Sequence, residues 1–141
     1  MRILGVFLSL IIIISCQSSE KTGQTLNASP NDTVIEGVLI SEEDEKVTWE
    51  HPCQEQNCFA KVRVSKIVQR GNNLASAFKE GDEIRVFFAF GMKASGPENF
   101  KELKDPLPGL SLNDSFKATL EIATASSEEK RYTIYRYKKL N

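Results

Sequence analysis

From residue 34 onward, apolar and polar positions alternate with a period of two, the spacing of strands that bury one face. Five segments carry the pattern, and residues 34–40 open the series. Residues 58–68 set Ala60, Val62 and Val64 against Phe59, Lys61 and Arg63, until Lys66 breaks the alternation and predicts a bulge near Ser65. Residues 83–90 set Ile84, Val86, Phe88 and Phe90 against Arg85, Phe87 and Ala89. Residues 115–124 set Phe116, Ala118, Leu120 and Ile122 against Lys117, Thr119 and Glu121, and residues 132–137 supply the last strand. Residues 46–50 have room for a short sixth.

The connections are legible too. Gly81-Asp82 and Asn113-Asp114 each precede an alternating segment; Gly and Asn tolerate left-handed backbone angles and Asp bonds nearby amides, so both read as turns that launch a strand. Residues 73–79 and 98–103 suit one or two helical turns each. Residues 91–110 hold three of the five prolines, Pro97, Pro106 and Pro108, with Gly91, Gly96 and Gly109, which predicts a long irregular loop of the kind that lines binding surfaces.

Upstream of the strands the pattern changes twice. Residues 3–14 are apolar apart from Gly5 and Ser9, follow Arg2, and are too few for a permanent span of about 20 residues, so they read as a secretory signal. Residues 17–33 are polar, with Leu26 the one large apolar side chain, and bury too little surface to offset ordering. The expected organisation is a cleaved signal at 1–15, a flexible tether at 16–33 and one domain at 34–141. With 40% hydrophobic and 26% charged residues and a net charge of -1, the 141-residue chain is globular in composition and no polycation. Loss of Arg2 with the signal takes the charge to -2.

Three cysteines cannot all pair internally. Ile13-Ile14-Ser15-Cys16 resembles the bacterial lipobox: two aliphatic residues, a small residue, then the lipidated cysteine. The resemblance implies that Cys16 becomes the first mature residue, bearing diacylglycerol and an N-acyl chain, with no other cofactor. The alternative is an ordinary signal peptide that leaves Cys16 a free thiol. In lipoproteins an Asp after the cysteine favours inner-membrane retention; Gln17 and Ser18 here lean toward the outer membrane of a Gram-negative cell. Two or three acyl chains, at about 0.8 kcal/mol per buried methylene, hold such a protein on its membrane.

Five or six strands with a short helical insertion suggest a mainly β fold, a Greek-key barrel of the oligonucleotide/oligosaccharide-binding type. His51-Pro52-Cys53 through Cys58-Phe59-Ala60-Lys61-Val62-Arg63-Val64, continuing to the Gly81-Asp82 turn, resembles the netrin-like branch of that fold. Its metalloproteinase inhibitors use a free amino-terminal cysteine, whereas the mature terminus here is an acylated Cys16 outside the barrel, so inhibition is not carried over. In an exported chain Cys53 and Cys58, with four residues between them, suit a disulfide. The alternatives are unpaired thiols or a soft-metal site shared with His51, which has three donors rather than the usual four.

No constellation specifies a reaction. His51, the one histidine, has no recognisable nucleophile or orienting partner in the pattern, and reads as an exposed loop residue. Glu42, Glu43, Asp44 and Glu45 lack the alternating oxygen ligands and glycine of a calcium loop and read as a solvated hairpin tip. The candidate binding surface is the outer face of the second and third strands, Phe59, Lys61, Arg63, Arg85 and Phe87, a basic and aromatic set. It would suit single-stranded nucleic acid, but export argues against that partner. Tyr132, Tyr135 and Tyr137, with Arg131, Arg136, Lys138 and Lys139, read as core packing and a charged edge, because a period of two divides them between faces. The expected function is a non-enzymatic, membrane-anchored binding or assembly module of the cell envelope, with an envelope protein or glycan as partner. The alternatives are a structural envelope component and a metal-handling lipoprotein.

Overall fold

The computed structural model describes residue 26 and residues 28–47, 51–74, 77–123 and 131–140. The expected signal at 1–15 and the lipid-attachment position Cys16 lie outside the described residues, as does most of the expected tether. Five strands dominate: β1 (Thr33–Glu43), β2 (Phe59–Gln69), β3 (Glu83–Phe88), β4 (Ser115–Ala123) and β5 (Arg131–Lys139). They form one mixed sheet in the order β1-β2-β3-β5-β4, and β4 pairs with β1, so the hydrogen-bond ladder closes on itself. Every contact between neighbours is antiparallel except that of β3 with β5, where Val86, Phe87 and Phe88 face Tyr132, Thr133 and Ile134 in parallel.

All five main segments are strands, and the ends differ for a physical reason. β1 runs past the expected residue 40 because Ser41, Glu42 and Glu43 find partners in Lys61, Ala60 and Phe59, although their side chains carry no apolar signal. The expected sixth strand does not form at residues 46 and 47, and residues 48–50 lie outside the described set. The expected helical insertion is corrected to isolated 3-10 turns at Pro52–Gln54 and Asn72–Leu74. Residues 98–103 make only successive turns, closed by bonds such as Leu103 N–H to the Phe100 carbonyl at 3.0 Å.

The bulge near Ser65 is present. Glu36 pairs with Lys66 and Gly37 with Val64, so Ser65 is the extra residue on β2. On β5, Ala118 opposes Tyr137 while Leu120 opposes Ile134, which adds one residue between them. Ile134 and Tyr137 therefore both face inward, with Tyr135 and Arg136 outside, and the strand departs from strict alternation. β1 crosses β2 closely at Gly37, where an added Cβ would lie 2.6 Å from Val62 Cγ1.

Both strand-launching turns use the expected chemistry. Gly81 and Asn113 have φ of 92° and 68°, and the following Asp82 and Asp114 carboxylates accept the amides of Lys79 and Ser111 at 3.0 and 2.7 Å. The bonds from Lys139 and then Ser111 hold the Asp114 carboxyl below its ordinary pKa. A third turn of this kind precedes β1: Ser29 N–H donates to Asp32 at 2.6 Å, and Gln69 Nε2 donates to the Ser29 and Asp32 carbonyls. Residues 28–32, inside the expected tether, are thus tied to the far end of β2.

The interior is filled by the inward faces of the strands, including Ile35, Leu39, Val62, Val64, Val86, Phe88, Phe116 and Leu120. Phe88, Phe116 and Tyr137 form an edge-on aromatic trio with ring centroids 5.7–6.3 Å apart. Met92, Phe100, Leu103, Leu107 and Leu110 from the long β3–β4 loop, residues 89–114, join the same core, which anchors a connection that has neither strand nor helix. A two-way backbone pair between Ser95 and Leu107, at 3.2 and 2.7 Å, draws the loop together.

Candidate functional site

The β1–β2 connection folds over the outer face of β2 and β3. Cys53 and Cys58 form a disulfide with Cα atoms 5.6 Å apart. Both cysteines are fully buried and, with Val47, Phe59, Phe87 and Ala89, make a second apolar cluster outside the closed sheet. Phe59 and Phe87 are directly opposed on β2 and β3, their rings 5.0 Å apart.

This arrangement corrects the expected binding surface. Phe59 and Phe87 do point away from the main core, but the disulfide loop covers them, leaving 2% and 8% of each exposed. Arg85 lies 4.7 Å over the Phe59 ring and is held by Glu43 at 2.5 Å and by Glu45. The Glu43 hydrogen bond, followed by the charges of Glu43 and Glu45, raises the Arg85 pKa against the opposing effect of burial. Arg63 pairs with Glu83 at 2.9 Å, and Lys61 is exposed. The five residues share one side of the sheet without presenting an open basic and aromatic groove.

The acidic run likewise has specific partners. Glu43 and Glu45 clasp Arg85, Glu42 accepts from Asn57 at 3.2 Å, and Lys46 bridges Asn57 and Asp44 at 2.8 and 3.0 Å. These bonds fasten the loop before the disulfide. His51 tilts against Phe87 with ring centroids 5.9 Å apart, and its Nδ1 accepts the Cys53 amide at 3.2 Å. Burial lowers its pKa below the ordinary imidazole value. With both sulfurs in the disulfide, His51, Cys53 and Cys58 offer no thiolate to a metal, and no group of three or more metal-ligating side chains occurs among the described residues.

The expected division of the tyrosines holds, with Tyr137 in the core, Tyr132 edge-on to Phe78 at 5.6 Å and Tyr135 exposed, but the expected charged edge is corrected: β5 pairs with both β3 and β4, so Arg136, Lys138 and Lys139 lie on an interior strand of the closed sheet.

What the disulfide loop does create is a cleft. Its residues His51, Gln54, Glu55 and Gln56 face Lys93, Ala94, Ser95, Asn99 and Phe100 of the β3–β4 loop across a volume of about 680 Å³. Asn99 Oδ1 accepts the Gly96 amide at 3.2 Å, fixing its carboxamide. Ser95 is 9% exposed and its Oγ has no hydrogen-bond partner, a state that costs about 1–3 kcal/mol when a hydroxyl is buried. Sequence reasoning marked both loops and weighed His51, but singled out none of the Gln, Asn and Ser residues here, which are ordinary loop composition. A second hollow of about 420 Å³ is lined by Phe90, Leu103, Tyr135 and the half-buried Leu26.

Breaking the disulfide will loosen one wall of the cleft and uncover Phe59 and Phe87. On the chain-entropy account so short a loop contributes about 2 kcal/mol. Urea unfolding of the oxidised and reduced protein should differ by that amount, with faster amide exchange over residues 51–58 after reduction. Identical curves would show that the bond does not hold the loop.

Compared with known proteins, the chain matches no family model, no curated protein and no solved structure.

Proposed function

We propose that this protein is a lipid-anchored, non-catalytic binding module of the bacterial cell envelope. The observation that carries the binding role is the solvent-open cleft of about 680 Å³ between two loops, one tied down by a disulfide and the other by the core. A pre-formed cleft with convergent polar groups supports ligand capture without the ordering cost that mobile loops impose. The anchor is inferred from Ile13-Ile14-Ser15-Cys16, with acylation at Cys16 and cleavage before it. Outer-membrane placement is favoured by Gln17 and Ser18. The closed sheet is read as a Greek-key barrel of the oligonucleotide/oligosaccharide-binding type; the order β1-β2-β3-β5-β4 and the parallel β3–β5 pair support that assignment.

Two measurements on intact cells test the reading. Labelling with an alkyne-tagged fatty acid should mark the wild-type chain, and Cys16→Ala should abolish both the label and membrane retention; persistent labelling would refute the anchor. A photo-crosslinking residue in place of the exposed Lys93, on the cleft, should trap a reproducible envelope partner. If neither Lys93 nor Tyr135 traps anything, the module is a structural spacer rather than a binder. Phe87 is unsuitable for such a probe because it faces the protein's own disulfide loop.

A further inference from the structure

We propose that Leu26 and residues 28–33 form a strap, fastened to the end of β2, that places Leu26 beside Phe90, Leu103 and Tyr135 and supports the wall this second hollow shares with the cleft. The inference needs neither the lipid anchor nor a ligand for the cleft, so it goes beyond the binding-module reading and is tested apart from it.

Leu26 is the one large apolar side chain between residues 17 and 33, and a polar segment with no attachment to the domain would leave it in water. Instead it is half-buried and lines the hollow of about 420 Å³ with Phe90, Leu103 and Tyr135. The chain is led there by side-chain bonds that belong to no strand ladder. Besides the two carbonyls held by Gln69, Asn72 Nδ2 donates to Asn31 Oδ1 at 3.3 Å and Gly71 N–H to Thr33 Oγ1 at 2.9 Å. Gly71 lets the segment lie this close, since an added Cβ would collide with the Asn31 carbonyl. At the tip, Ala28 N–H donates to the Leu26 carbonyl at 2.9 Å and turns the chain.

The hollow and the cleft stand back to back. Phe90 lines the hollow and Phe100 the cleft, and their rings meet edge-on with centroids 5.1 Å apart, while Tyr135 lies 6.4 Å from Phe90 on the hollow side. One run of turns presents Asn99 and Phe100 to the cleft and Glu102 and Leu103 to the hollow. It is closed by the Asn99 and Phe100 amides, which donate to the Gly96 carbonyl at 2.9 and 3.0 Å. In a close-packed wall, a side chain withdrawn from one side leaves the other with less support. The strap is also the part able to leave, because its bonds to Gln69 and Asn72 are made at exposed side chains, whereas the sheet is held by backbone ladders. A strap with a fastened and a released position therefore borders the cleft.

Hydrogen exchange on the full chain in a zwitterionic detergent tests this, with two variants that release the strap by different means. Leu26→Ala removes its apolar tip, and Gln69→Ala removes its clasp. Each should raise exchange about five- to tenfold at the Asp32 amide, which bonds to the Ser29 carbonyl within the strap, and at the Phe100 and Leu103 amides of the shared wall. The Phe88 amide, which donates to the Cys58 carbonyl, should keep its wild-type rate. Leu112→Ala, which trims an exposed leucine in the turn before β4, should change none of them. Unchanged Asp32 exchange in either variant would show that the altered residue does not hold the strap. Faster exchange at Asp32 with Phe100 and Leu103 at their wild-type rates would show that the strap supports no wall, and acceleration at Phe88 as well would mean general destabilisation. Each of these three results overturns the proposal. Fatty-acid labelling and the Lys93 crosslink are read separately, so failure of the strap leaves the anchored-module reading to stand or fall on its own results.

Discussion

Phe88→Ala will lower the unfolding free energy by about 3–5 kcal/mol, the range for deleting a large aromatic side chain from a packed core. Phe88 is 1% exposed, and its ring meets Phe116 at 5.8 Å and Tyr137 at 5.7 Å, so removal leaves both without an edge-on neighbour. The surrounding strands have little freedom to collapse into the gap, since β3 is bonded to β2 on one side and β5 on the other. Against a typical total of about 5–15 kcal/mol, this is a large share of the protein's stability. Phe87→Ala is the control: its neighbour in sequence lies in the smaller outer cluster and should cost less. Urea titration of the two variants decides the matter, and a larger loss at Phe87 would mean that the centre of stability has been misplaced.

Stability will also fall above pH 10, in a way that depends on Tyr137. Burial pushes its phenol up to about 12, because the phenolate would lose its hydration inside the sheet. The hydroxyl lies near the Gly109 amide, which opposes the shift only weakly and completes no full hydrogen bond. An unfolded tyrosine titrates at about 10, so below that pH the phenol is protonated in both states and contributes no slope. Between about 10 and 12 the unfolded chain gives up its proton first, and folding weakens by about 1.4 kcal/mol per pH unit, about 2–3 kcal/mol in all. In Tyr137→Phe this component should vanish, so the difference between variant and wild-type curves must change across that window. A constant difference would show that Tyr137 titrates alike in both states.

Strand positions were legible because alternation survives wherever one face is buried, and the Ser65 bulge showed itself as a single break in that alternation. The lower stretch of β1 was hidden because Ser41, Glu42 and Glu43 carry no apolar side chain; backbone pairing with β2 and the polar contacts of Glu42 and Glu43 with Asn57 and Arg85 hold it. Phe59 and Phe87 were placed on the correct side of the sheet, yet read as open because period two says nothing about what covers an outer face. One signal did exist: Val86-Phe87-Phe88-Ala89-Phe90 is continuously apolar, the mark of a strand buried on both sides. Two cysteines just ahead of β2 were the other half of that signal, since the loop they close supplies the cover. The cleft itself was out of reach, being a meeting of residues about forty positions apart whose side chains are common in any loop.

The place of β5 also governs when the protein can fold. β5, the last of the five described strands in chain order, sits between β3 and β4, not at a margin, so a chain lacking it has two open strand edges and no closed ladder. β1, the first strand, must likewise wait for β4. Such long separations between partners slow folding, toward milliseconds to seconds for β-rich domains. A chain without β5 therefore cannot close the sheet, however much of the rest is in place.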